Sequence, residues 1–397
     1  MVMDIFQKAY HYKTANQARE AGIYPYFHAL ESKQDVRVIM EGAPRIMLGS
    51  NNYLGLTTNP DVMLAATKAI EQYGTGCSGS RFLNGTLELH LELERELADF
   101  LGTEDALVFS TGFQTNLGII SAIAGKNDFI LSDKENHASI YDGCRLSSAT
   151  VLRYRHNDMV DLERQLKKVP EESGSIIITD GVFSMGGDIA DLPGIVKLAK
   201  EYGARVMVDD SHGLGVLGPN GKGTAEYFGL EKDIDIYMGT FSKSLASLGG
   251  YMAGDSIVID YIRHNSRPFI FSASMTPSSC AAALAALKHL RANPQLPKAL
   301  ISISKYFREK LDQAGIKTRF SETPIIPIYT YELTTTLTIA KHLYDEGVYV
   351  NPSLPPATPP NECLLRTSLM ATHTRPIIDE AVEIISRVLG EYQIYEK

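Results

Sequence analysis

A chain of 397 residues with 44% hydrophobic and 21% charged side chains has enough apolar material for one large core and a smaller lobe, which excludes a disordered or fibrous protein. Its net charge of −9 and the lack of any basic run exclude a general nucleic-acid binder, so an anion held here must be met by local donors. Four well-separated cysteines, Cys77, Cys144, Cys280 and Cys363, offer neither a CxxC pair nor a disulfide framework; they predict no metal site and fit reduced thiols in a cytoplasm.

The first residues have no basic stretch leading into an apolar one, and no segment reaches the length of a membrane span. A cytoplasmic protein without a transmembrane segment is the expectation. Residues 1–45 read as an arm: a helix and an extended segment joined by the aromatic run Gly22-Ile-Tyr-Pro-Tyr-Phe27. Residues 46–288 alternate helical patterns with short apolar strands at 106–109, 129–131, 175–179, 206–208 and 234–238. That alternation predicts an α/β large domain on a mainly parallel central sheet covered by helices. Residues 289–397 change pattern: a helix near 297–314, a strand at 324–331, a helix at 335–346, a proline-rich loop at 352–360, a strand at 364–369 and a last helix from 375. They predict a smaller α+β C-terminal domain.

Two glycine patterns invite a nucleotide-binding reading and fail it. Gly74-Thr-Gly-Cys-Ser-Gly79 matches G-x-G-x-x-G, but the residues before it have helical spacing where a strand is required. The segment from Gly215 to Lys222 resembles a phosphate loop with one residue too many, and Gly223 stands where a magnesium-binding hydroxyl belongs. It reads as a turn.

Polar clusters follow the apolar strands instead. In open α/β sheets ligands bind beyond the carboxyl ends of the strands, and five such ends carry chemistry here. Ser110-Thr-Gly112-Phe113-Gln-Thr-Asn116 leads from strand to helix, so the amides of Gly112 and Phe113 suit an anion. His137 follows the second strand, Ser184 the third, Asp209 and His212 the fourth, and Thr240, Ser242 and Lys243 the fifth. Each alone has a bland reading as a cap, a turn or a solvated side chain. Together they match what pyridoxal 5'-phosphate (PLP) needs: a lysine for an imine, a carboxylate for the ring nitrogen, and hydroxyls and amides for a phosphate. Arg366, on a predicted strand just after the proline loop, suits a substrate carboxylate.

The motifs Ser50-Asn51-Asn52-Tyr53-Leu-Gly-Leu56, Gly79-Ser-Arg-Phe-Leu-Asn-Gly-Thr86, Asn136-His137-Ala-Ser139, Asp180-Gly-Val-Phe-Ser184-Met185, Val208-Asp209-Asp210-Ser211-His212 and Gly239-Thr240-Phe-Ser242-Lys243 occur in this order. On them the chain, from about Tyr24 onward, resembles the α-oxoamine synthases. These are fold type I, aspartate aminotransferase-like PLP enzymes that condense an amino acid with an acyl-CoA and lose carbon dioxide. Arg81–Thr86, Thr240–Gly250 and Phe271–Pro277 look most like the bacterial members that take L-serine and a long-chain acyl-CoA to 3-oxosphinganine. Ser78 departs from the alanine usual there. Sister enzymes that take glycine or alanine are the alternative; a catalytically silent regulatory subunit would be expected to lack Lys243.

The resemblance implies roles. Lys243 would carry the cofactor and move the Cα proton, Asp209 would pair with the ring nitrogen, and His212 with the ring oxygen. His137 would stack on the ring and orient the substrate carboxylate. Gly112, Phe113, Thr240 and Ser242 would hold the phosphate, while Ser184, Asn51 and Arg366 would line the substrate side. It also implies a homodimer with its sites at the interface, where Ser274 or Thr276 would reach the partner's phosphate. It is compatible with peripheral contact with a membrane.

Overall fold

The computed structural model describes residues 4–355, 357–359 and 361–394. Among the described residues thirteen strands run in chain order: β1 Arg37–Met40, β2 Ala43–Met47, β3 Asp105–Phe109, β4 Phe129–Asp133, β5 Thr150–Tyr154, β6 Ser175–Asp180, β7 Arg205–Asp209, β8 Ile236–Thr240, β9 Gly250–Gly254, β10 Ile325–Tyr331, β11 Val348–Tyr349, β12 Asn351–Ser353 and β13 Cys363–Ser368. Seven of them form the central sheet in the order β3-β9-β8-β7-β6-β4-β5. All neighbours are parallel except β9, which is antiparallel to both β3 and β8.

The strand sequences explain why this sheet is buried on both faces. In β3, Ala106 and Val108 join one apolar core while Leu107 and Phe109 join another; in β7, Val206 and Val208 oppose Met207 in the same way. Successive side chains of a strand point to opposite faces, so continuous apolar runs require a helical layer on each side. Helices Glu88–Leu101, Leu192–Tyr202 and Pro277–Ala292 supply one layer, and Gly112–Ile123, Ala138–Leu146 and Ser256–Asn265 the other.

The sheet corrects two local expectations. The strand expected at 234–238 runs two residues later, through Thr240, because β9 pairs with β8 as far as Thr240↔Gly250. Strands β5 and β9 belong to the sheet although their own sequences, Thr-Val-Leu-Arg-Tyr and Gly-Tyr-Met-Ala-Gly, carry too little apolar pattern to predict them. They are held by their neighbours.

The single helix expected in the arm is two short ones, Gln7–Tyr10 and Thr14–Glu20. The arm's hairpin β1–β2 pairs with β11 from the far end of the chain, with Ile46 opposite Val348. A third sheet, β10-β13-β12, carries Arg366. Part of the expected proline loop is strand β12; Pro356 and Pro360, and residues 1–3 of the arm, lie outside the described residues.

The turn after β6 is pinned to residues 319–323. Ser321 Oγ and Thr323 Oγ1 both donate to the Gly187 carbonyl, at 2.8 and 2.9 Å. Arg319 pairs with Asp188 at 3.2 Å. His156 sits between Asp188, 2.6 Å from Nε2, and Asp133, 3.1 Å from Nδ1. Burial opposes charging this imidazole, but the two carboxylates win and push its pKa up to about 10.

Candidate active site

At the carboxyl edge of the sheet a cavity of about 280 Å³ is lined by Gly112, Phe113, His137, Asp209, His212, Thr240, Ser242 and Lys243, with Asn116, Ser139 and Asp180 among them. Four strand ends therefore meet as the sequence pattern suggested, and β6 adds its last residue, Asp180.

Each group is fixed by its own element. Thr111 caps the helix that begins at Gly112 by accepting from Gln114 N at 3.1 Å, which leaves the amides of Gly112 and Phe113 facing the cavity without an intrahelical partner. Opposite them, the Thr240 and Ser242 hydroxyls are 2.9 Å apart. The approach is close enough that a Cβ on Gly112 would come within 2.8 Å of Thr240 Cβ, and one on Gly250 within 2.8 Å of Gly112 Cα. Only glycine lets the helix start and the β8–β9 turn meet here.

Asp209 is buried and held by two donors, Asn116 Nδ2 at 2.7 Å and Ser211 N at 3.1 Å. His137 caps the helix Ala138–Leu146; its Nδ1 faces Ser139 Oγ at 2.7 Å, and its amide donates to Asp180 at 2.9 Å. Burial lowers the pKa of His137, with Asp209 opposing and Lys243 adding to the fall. Asp180 is pushed well above the usual carboxylate range, first by burial and then by Asp209 beside it. The Lys243 amine is lowered to about 8 by burial, against the pull of Asp209 and Asp180, which act on it through space without a hydrogen bond. Near neutral pH a share of it is the free, nucleophilic amine.

Arg366 stands to one side, 5% exposed. Its Nε donates to the Ser184 carbonyl and its Nη2 to Asn51 Oδ1 at 2.9 Å, so three elements remote in sequence meet at one guanidinium. Ser184 thus offers its backbone oxygen to Arg366, and it does not line the cavity of Lys243. Ser274 and Thr276 also lie outside that lining: Ser274 Oγ donates to Gly79 O at 3.1 Å, and Thr276 caps the helix Pro277–Ala292.

Three residues gained no role from the sequence although motifs contained them. Asn116 holds Asp209, Asp180 holds the His137 amide, and Tyr53 touches His212 and Arg366. An apolar strand followed by a second polar residue was the available signal for Asp180; nothing local marks the other two.

The residues present fit a phosphorylated, flat cationic ring. The Gly112 and Phe113 amides and the Thr240 and Ser242 hydroxyls line the same cavity as a carboxylate fixed by two donors and the Lys243 amine, which has no hydrogen-bonded partner among the described residues. A seven-stranded α/β sheet with a lysine and an aspartate at adjacent strand ends defines the class: the chain belongs to the aminotransferase class I and II family, whose model matches residues 43–385. Within that class it is 50% identical to a serine palmitoyltransferase of Sphingobacterium spiritivorum, over 97% of this chain and 96% of the relative. It is 46% identical to an 8-amino-7-oxononanoate synthase of Geotalea daltonii, over 93% and 95%. A solved serine palmitoyltransferase structure with a PLP internal aldimine superposes with a TM-score of 0.95 at 36% identity, covering 99% of this chain and all of that one.

Proposed function

We propose that the protein is a serine palmitoyltransferase, condensing L-serine with palmitoyl-CoA, or another long-chain acyl-CoA, to 3-oxosphinganine, CoA and carbon dioxide with PLP as cofactor. The observation that carries this reading is Lys243 and Asp209 facing one cavity, in a chain 50–51% identical to serine palmitoyltransferases over most of its length.

When bound, PLP supplies an electron sink for negative charge at the amino acid's Cα. The residues do the rest. Asp209, oriented by Asn116 and the Ser211 amide, would pair with the ring nitrogen and keep it protonated. The Gly112 and Phe113 amides with the Thr240 and Ser242 hydroxyls would hold the phosphate, and His212 would face the ring oxygen. Lys243 would carry the cofactor at rest and, as a free amine, take the Cα proton of serine and later return one. His137, with its imidazole kept neutral by burial, would lie over the ring and accept or donate without bringing a second charge. Arg366 and Asn51 would clamp the serine carboxylate; the Ser184 carbonyl accepts from the Arg366 Nε and so helps hold its guanidinium beside Asn51. Fixing that carboxylate sets which Cα bond stands ready to break.

We further infer a homodimer in which Ser274 or Thr276 serves the partner's phosphate. Large apolar side chains left in solvent support it: Phe27 is 94% exposed, and Leu83 and Phe271 each 76%. The arm 1–45, large domain 46–288 and small domain 289–397 are the proposed division, with the arm's hairpin serving the small domain through β11. No helix among the described residues is long and apolar enough to cross a membrane. A cytoplasmic location is the proposed one, supported by four free cysteines.

Purified protein assayed with palmitoyl-CoA and L-serine, glycine or alanine separately tests the substrate. Serine is the expected donor; a preference for glycine or alanine would instead support the reading offered by the 8-amino-7-oxononanoate synthase relatives.

A further inference from the structure

The phenol of Tyr53 joins two side chains that the proposed reaction uses separately. Its oxygen lies 2.6 Å from His212 Nδ1, and 3.4 Å from both Arg366 Nη2 and Asn51 Oδ1. Tyr53 is fully buried, so no bulk water competes for these contacts. A guanidinium has donors only, and the Arg366 contact therefore uses a phenol lone pair. The single phenol proton is left for His212 or Asn51. Asn51 Oδ1 already accepts from Arg366 at 2.9 Å, whereas His212 is far nearer to the phenol.

Burial, reinforced by the charges of Lys243 and Arg366, holds the His212 imidazole neutral. One ring nitrogen must then be an acceptor and the other a donor. Among the described residues Nε2 has no hydrogen-bond partner, and His212 lines the cavity.

We propose that Tyr53 is a positioning residue that sets the tautomer of His212: the phenol donates to Nδ1, so the ring proton sits on Nε2 and is offered to the cavity. This rests on the cofactor reading above only for what the Nε2–H meets there, an anionic ring oxygen. The tautomer itself belongs to the cofactor-free protein. Because Arg366 donates to the same phenol, the group that would grip the substrate and the group that would grip the ring oxygen lie on one directed chain, Arg366 to Tyr53 to His212, in which each bond polarises the next.

The deciding measurement is 15N NMR of the cofactor-free protein labelled at histidine, with the His212 signals identified by their loss in His212→Gln. The expected spectrum has an unprotonated Nδ1 and a protonated Nε2; a proton on Nδ1 overturns the proposal, whatever occupies the cavity. Tyr53→Phe keeps the ring and removes the donor. It is expected to lose the single tautomer, to shift the visible absorbance of the PLP-loaded protein, and to lower kcat about fivefold, the scale of one lost hydrogen bond. An unchanged tautomer and unchanged absorbance in Tyr53→Phe also overturn the proposal. If that variant does not fold, the wild-type spectrum decides alone. Failure of the cofactor reading would look different: no visible absorbance in wild type incubated with PLP, with the tautomer result intact.

Discussion

Asn116 donates a 2.7 Å hydrogen bond to Asp209 from the second turn of the helix that starts at Gly112. One helix therefore presents the free amides at its start and, a turn later, orients a carboxylate that lines the same cavity. The distance between a phosphate and a ring nitrogen is fixed in the ligand, and a helix is the stiffest way to match it.

Asn116→Ala removes a donor from a buried carboxylate. Hydrogen bonds to charged groups are worth about 1.5–3 kcal/mol, so PLP affinity is expected to fall by roughly 10- to 100-fold. Equilibrium dialysis against PLP measures it; unchanged affinity would show that Asp209 needs no such orientation.

Lys243 has a pKa lowered to about 8 by burial. At pH 7 roughly a tenth of the amine is free and at pH 9 roughly nine tenths, so covalent uptake of PLP by the cofactor-free protein should speed up about tenfold between them. The stability effect has the same direction. The cost of burying the charged amine is fully present below about 8 and is relieved between there and the usual 10.5, where the unfolded chain still holds the proton. Stopped-flow absorbance follows the uptake, and Lys243→Ala should show none.

Arg366→Lys keeps a charge but loses the planar fork that reaches Asn51 and Ser184 together. The KM for L-serine is expected to rise roughly 100-fold with a smaller fall in kcat, the KM for acyl-CoA staying within about twofold. Steady-state kinetics with each substrate varied in turn would separate the two; equal rises in both KM values would argue against a carboxylate clamp.

His156→Gln breaks the link from Asp133 to Asp188 and, through it, to Arg319. With its folded pKa raised to about 10 from the usual 6.5, His156 contributes stability that is full below about 6.5 and is lost as pH rises through 10. The variant should lose roughly 2 kcal/mol at pH 6, and less at pH 10, because removing the imidazolium strands the buried Asp133 carboxylate while Asp188 keeps Arg319. Denaturant midpoints at the two pH values test this, and a pH-independent loss would remove the ionic argument.

The central sheet was legible wherever an apolar run ended in a polar cluster. β3, β4, β6 and β7 each sit within a few residues of where their sequences place them, and their ends carry the residues that line the cavity. What stayed hidden depends on partners far along the chain. β9 is a strand because β3 and β8 flank it, not because Gly-Tyr-Met-Ala-Gly favours one. Tyr53 and Asn116 sit in recognisable motifs, yet their contacts with His212 and Asp209 span 159 and 93 residues, beyond any local periodicity. Ser184 illustrates the reverse: its position was readable, but it is the carbonyl and not the hydroxyl that Arg366 engages.

The pairing of the arm with β11 and the contact of Asn51 with Arg366, 315 residues apart, also bear on how the protein is made. Contacts of such sequence separation carry a large loop-closure cost and form late. During synthesis the large sheet has all its strands once Gly254 has emerged, while β2 waits for a partner not yet translated. The early hairpin is then an unpaired edge, the kind of surface that invites mispairing with another nascent chain. The contact of Asn51 with Arg366 is thereby timed to the last part of translation, and a ribosome-released fragment ending before residue 348 would carry Lys243 and the strand ends around it but neither β11 nor Arg366.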